Sequence, residues 1–187
     1  MVSGGLMTIL RAGLRLRRDR RAVAAVEFAL ILPIMLSLYL GGDELGHGLT
    51  ISRKVTHVSS SLSDLIAQST SITNSDMTNI LNAAASVITP YSTSNLTIVI
   101  SEYYIDANKK VTVQWSDAYQ TTPLSAGTTI SNLPASLLSA SSYLVTARVR
   151  YAYKPTVGYI MTGTFNLTDQ FYLRPRLNDS GITRTAF

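Results

Sequence analysis

No cysteine occurs in the 187 residues. That excludes disulfide staples, thiolate nucleophiles and Cys-ligated metal, and it leaves the compartment open, since a periplasmic domain without disulfides is ordinary. Charge is also scarce, at 14% of residues, against 46% hydrophobic ones. A disordered, solvated chain needs the reverse balance. Catalytic signatures are missing as well: there is no G-x-S-x-G elbow, no phosphate-cradling glycine loop and no HExxH. The two histidines, His47 and His57, precede the strand-rich half, so a Ser–His–Asp relay has no base there. Glu102, Asp106, Asp117 and Asp169 are expected at exposed hairpin and turn positions, with no pair set for acid–base work. The expectation is a protein that is not an enzyme, without metal or cofactor.

The net charge of +5 belongs to one place. Arg11, Arg15, Arg17, Arg18, Arg20 and Arg21, less Asp19, account for all of it, and the residues after position 21 balance at ten basic and ten acidic. A short arginine block is not the basic, aromatic-studded face that reads nucleic acid, and no nucleic-acid partner is expected. From Ala22 to Leu40 the only charged residue is Glu27, and the run is about as long as a bilayer-spanning helix requires. Pro33 is tolerated in such a helix. The arginines then put residues 1–21 in the cytoplasm and the residues after Leu40 outside it. GGDELGHGLTISRK follows, without the small-residue cleavage site of an ordinary secretory signal. A carboxylate within an apolar span is costly, so Glu27 calls for a partner; snorkelling into headgroups is the bland alternative.

The run RRAVAAVEFALILP resembles the start of TadE-like proteins, the minor pseudopilins of tight-adherence (Flp, type IV-like) pilus systems. In that family a basic leader ends in a small residue, usually glycine, and a glutamate and an aromatic follow at the fifth and sixth mature positions. The resemblance implies cleavage between Ala22 and Val23 by a prepilin peptidase, with Ala22 standing where the family has glycine. Glu27 and Phe28 become the assembly and register pair, Glu27 meeting the new terminal amine of a neighbouring subunit. Arg17, Arg18, Arg20 and Arg21 supply the charge of the leader. The implied partners are the peptidase, other pilins and pseudopilins, and the assembly platform of a bacterial inner membrane, which the protein crosses once. The alternative is an uncleaved, membrane-anchored periplasmic binding module.

Room remains for one modest domain. The expected layout is a leader over 1–22, a transmembrane helix over 23–40, a stalk helix over 41–72 and an α+β domain over 73–187. Ile51, Val55, Val58, Leu62 and Leu65 form a stripe on the stalk, which runs to about Gln68 and is softened near its glycines at 41, 42, 46 and 48. Asp43, Glu44 and His47 are expected at the solvated membrane boundary rather than on a metal. STSITNSD reads as a polar break, with Asn74 or Ser75 capping a second helix that ends before Pro90. NLTIVISEYYID and KKVTVQWSDAY read as a hairpin turned at DANK, TTPLSAGTTISN as a loop, LPASLLSA as a short helical piece, and YLVTARVRYAYKP and TFNLTDQFYLRPR as two further strands. Four strands in runs after helices give an antiparallel α+β sheet, resting on the helices as in pilin-like folds by the resemblance. Tyr103, Tyr104, Tyr151, Tyr153 and Tyr172 are core and cross-strand residues. Arg174 and Arg176 flank Pro175 at a strand end, where they could contact a neighbouring subunit or serve as ordinary surface residues.

Overall fold

The computed structural model describes residues 20–155, 157–158 and 162–185. One α-helix, α1, runs from Arg20 to Ala67. Its glycines do not break it: each gives up helix propensity, about 1 kcal/mol against alanine, but none removes a hydrogen bond. Pro33 does remove one, and the turn there gains a bond from Ser37 Oγ to the Pro33 carbonyl. The described residues fall into two compact units. One comprises the described residues up to Leu45 together with Val157, Gly158 and Thr162; the other comprises Gly46–Pro155 and the described residues from Gly163.

In the second unit, the part of α1 from Ile51 onward buries Ile51, Val55, Val58, Leu62 and Ile66. The stripe ends on Ile66, fully buried, rather than on Leu65, which is 49% exposed. A step of four from Leu62 keeps closer to the seam at this point than a step of three. After α1 comes a short strand β1 (Ser71–Thr73), then α2 (Asn74–Ser86). The cap of α2 is Thr73, one residue before the expected Asn74. Its Oγ1 accepts from Asp76 N–H, while the Asp76 carboxylate accepts from Thr73 N–H, a reciprocal capping box. The Thr73 hydroxyl also donates to that carboxylate at 2.6 Å, and this bond, followed by the one from Thr73 N–H, holds the Asp76 carboxyl below its ordinary value.

The main sheet has five strands, not the four expected: β2 (Leu96–Ile105), β3 (Val111–Tyr119), β4 (Thr129–Ile130), β5 (Ser142–Tyr153) and β6 (Phe165–Leu173), in the order β4–β3–β2–β5–β6 and antiparallel throughout. The extra strand is two residues inside the presumed loop TTPLSAGTTISN. It pairs with Val111 and Thr112, too short a run to show periodicity. A second pairing also went unread: β7 (Thr183–Thr185) lies parallel to β1. Both are three residues of mixed polarity, so alternation could not identify them either. The expected helical piece is a single 3-10 turn, Ala135–Leu137.

One sheet face packs Leu96, Ile98, Ile100, Val145, Ala147, Val149 and Tyr151 against α1 and α2. At Glu102/Tyr103 the β2–β3 register shifts. Beyond that bulge Tyr103, Ile105, Val111 and Val113 join Leu144 in a second cluster, packed with Leu124, Leu133, Leu137 and Tyr172. Inward tyrosines are thus shared between two small cores: Tyr103, Tyr151 and Tyr153 are buried, Tyr104 and Tyr172 half-buried.

Candidate membrane and assembly segment

The first half of α1 is apolar on every side, and among its described residues no apolar side chain is buried. Phe28 is 62% exposed, Leu30 69% and Leu38 72%, and the helix is long and apolar enough to cross a membrane. An all-apolar helix needs lipid or other helices around it. Glu27 and Val23 are exposed on this rod. One turn on from Glu27, at spacings of three and four, lie Leu30 and Ile31, so its carboxylate shares a face with apolar groups. Further along, Pro33, Ile34, Ser37, Leu38, Gly41, Gly42 and Leu45 line an open apolar groove. Arg17 and Arg18 and the side chains of Arg20 and Ala22 lie outside the described residues.

Of the three residues expected at the solvated membrane boundary, Asp43 and His47 are exposed but Glu44 is not. Glu44 is buried, and its Oε1 accepts from the backbone N–H groups of Val157 and Gly158 at 3.1 and 2.6 Å. A helix carboxylate facing two adjacent amides fixes that loop against the helix, a role that sequence spacing cannot reveal because the partners lie more than a hundred residues away. His47 Nδ1 instead meets the Tyr91 hydroxyl at 3.0 Å. Among the described residues there is no group of three His, Asp or Glu side chains placed to hold a metal.

In the sheet domain the main correction concerns Glu102, expected at an exposed turn and found 2% exposed on β2. Its Oε1 accepts from Ile182 N–H at 2.7 Å and its Oε2 from Trp115 Nε1–H at 2.8 Å. Desolvation outweighs both bonds and pushes the carboxyl up to about 7. The signal was present in the sequence: Glu102 continues the inward alternation of Ile98 and Ile100. Asp117 is likewise on a strand, and both its oxygens accept from Arg184 of β7, at 2.8 and 3.1 Å. Arg184 also donates to the Ile72 carbonyl and to Asn74, and Asp117 stabilises its charge. Together these bonds fasten residues 182–185 across β3 and onto β1. Asp169 accepts from Thr56 Oγ1 of α1, leaving Asp106 as the acid that does sit in the hairpin turn.

Arg174 and Arg176 both have partners within the chain: Arg174 donates to Ser139, and Arg176 pairs with Asp64 at 2.6 Å. The latter pair is largely exposed and adds little stability.

Residues 22–61 match the model of the TadE-like protein family. That segment of α1 is similar to the corresponding segment of TadE-like proteins. The matched stretch starts at Ala22, includes Glu27 and Phe28 and continues into the buried stripe of α1. No curated protein and no solved structure matches the chain. The likeness thus lies within α1 and leaves the sheet domain outside it.

Proposed function

We propose that this TadE-like chain is a minor pseudopilin, a structural and non-catalytic component that helps assemble or initiate a tight-adherence pilus. The observation that carries the reading is an apolar helix left uncovered by the described residues, bearing a single carboxylate, in the segment that matches the family. In this reading residues 1–22 are a cytoplasmic leader, 23–40 cross the inner membrane, 41–72 form the stalk and 73–187 are periplasmic. A prepilin peptidase cuts between Ala22 and Val23. The charge of Arg17, Arg18, Arg20 and Arg21 holds the leader on the cytoplasmic side. The new amine of one subunit then pairs with Glu27 of another. In apolar surroundings such a pair is far better than either charge alone, so it sets axial register. Other pilins and the inner-membrane assembly platform are the partners this requires, and Arg174 and Arg176 remain available for subunit contacts by exchanging their exposed intrachain partners.

Intact mass and amino-terminal sequencing of membrane-extracted protein test the reading. A start at Val23, loss of maturation when Ala22 is made bulky, and loss of fibres in Glu27→Ala are the expected results. Alanine at the family's glycine position favours a second reading, a permanently anchored periplasmic module. An intact leader, with fibres formed regardless of charge at residue 27, would establish that reading and overturn the first.

A further inference from the structure

The two faces of the five-stranded sheet differ in charge. Its strands carry three acids, and register puts all of them on the face that α1 and residues 182–185 cover: Glu102 opposite Val145, Asp117 opposite Ile100 and Asp169 opposite Val149. Each is engaged there, by Trp115 and Ile182, by Arg184 and by Thr56. The two strand bases, Arg148 and Arg150, lie on the other face and are exposed. Their cross-strand neighbours are Val99 and Thr97 on β2 and Gln170 and Thr168 on β6, all uncharged.

Arg148 Nε donates to Gln170 Oε1 at 3.0 Å, and Arg150 Nε and Nη2 donate to Asn166 Oδ1 at 3.1 and 2.8 Å. Neutral amide acceptors orient a guanidinium without cancelling its charge, and most of the five N–H donors on each stay uncommitted. Nearby chain supplies no compensation. Residues 120–141, which supply Leu124, Leu133 and Leu137 to the second cluster, contain no charged residue, and Arg174 reaches that connection at Ser139. The result is a sheet face with two oriented cations and no acid from any strand.

We propose that this face docks an extended acidic segment of a partner protein, one with carboxylates at alternate residues. Two arginines at i and i+2 on one strand face stand about 7 Å apart, the same repeat as alternate side chains of an extended peptide. Their planar forks suit carboxylates, each bound by parallel hydrogen bonds. Nucleic acid or sugar would call for exposed rings to stack on, and the aromatics of this face, Tyr103 and Tyr172, are packed into the second cluster.

The test uses the full chain in uncharged detergent and a short labelled peptide alternating Glu and Thr. Binding should weaken with salt. It should weaken about tenfold or more in Arg148→Gln/Arg150→Gln, the loss of one good charge-assisted contact or more, while Arg53→Gln, a change on exposed α1 surface, leaves it unaltered. The Lys–Lys double variant, which keeps charge and removes the forks, should fall between. The same peptide with Gln for Glu should not bind the native chain, which keeps the test informative if the double variant fails to fold. Absence of binding to the alternating peptide overturns the proposal, as does equal binding by the Gln double variant. Tighter binding to a polyuronate or to phosphatidylglycerol vesicles, lost in that variant, also overturns it and assigns the face to a different class of partner.

Discussion

Glu102 and Trp115 face each other across the β2–β3 ladder, and the indole Nε1–H donates to the buried carboxyl at 2.8 Å. The same N–H lies 3.0 Å from the Ile182 carbonyl, and the amide of Ile182 donates to the other carboxyl oxygen. One strand carboxyl therefore anchors the start of the segment that ends in β7.

This anchor has a defined pH dependence. The carboxyl shifts from its ordinary value near 4.5 to about 7 in the folded chain. Between those values the native state holds a proton that the unfolded chain has released, so stability falls as pH rises through the window and levels off above about 7. The stabilisation is fully present below about 4.5, and its loss amounts to on the order of 2–3 kcal/mol. Trp115 is the sole tryptophan, which makes its emission a direct reporter of this titration. Emission should shift with a midpoint near 7, and the melting temperature should drop between pH 5 and pH 8. Glu102→Gln should flatten both curves over that range; an unchanged slope in the variant refutes the assignment.

The Arg184–Asp117 pair should couple two short strands that are distant in sequence. Both side chains are mostly buried, at 15% and 25% exposure, and the contact has two hydrogen bonds. Arg184→Ala should cost about 1–3 kcal/mol. Because Arg184 also holds the Ile72 carbonyl and Asn74, amide exchange should accelerate together in Ser71–Thr73 and Thr183–Thr185. Acceleration confined to β7 would mean that β1 is held independently.

What could be read from the sequence follows the length over which a physical signal repeats. The apolar span, the stripe from Ile51 to Leu62 and the four long strands each extend for several periods, and each was legible. The carboxylate at Glu27 was conspicuous because everything around it is apolar. Glu44 is hidden for the opposite reason: its burial depends on backbone amides at Val157 and Gly158, which nothing near it announces, whereas Glu102 shows its inward position in the alternation of Ile98 and Ile100 but not its distant partner Ile182. The strands β1, β4 and β7 are two or three residues long, and their existence depends on what lies beside them. The docking face was hidden similarly, since only register shows that Arg148 and Arg150 lie on the side without acids.

Gly181 precedes the anchored Ile182 with φ at +86°, a left-handed conformation that suits glycine. It is also pressed against a ring: a Cβ added there would lie 2.7 Å from two carbons of Tyr143, closer than carbon atoms can approach. Gly181→Ala therefore meets two penalties, the backbone conformation and the collision, and should destabilise the chain by about 1–3 kcal/mol. The two can be separated. Trimming the ring in a Tyr143→Ala background removes the collision and leaves the backbone cost, so Gly181→Ala should do less harm there than in the native chain. In either background the movement should loosen Ile182 and with it the bond to Glu102, lowering the Trp115 titration midpoint toward the ordinary carboxylate range as water reaches the site. Thermal unfolding and tryptophan emission on the same samples read both effects. A Gly181→Ala chain as stable as the native one, with an unmoved midpoint, would mean that the turn at residue 181 does not hold the anchor in place.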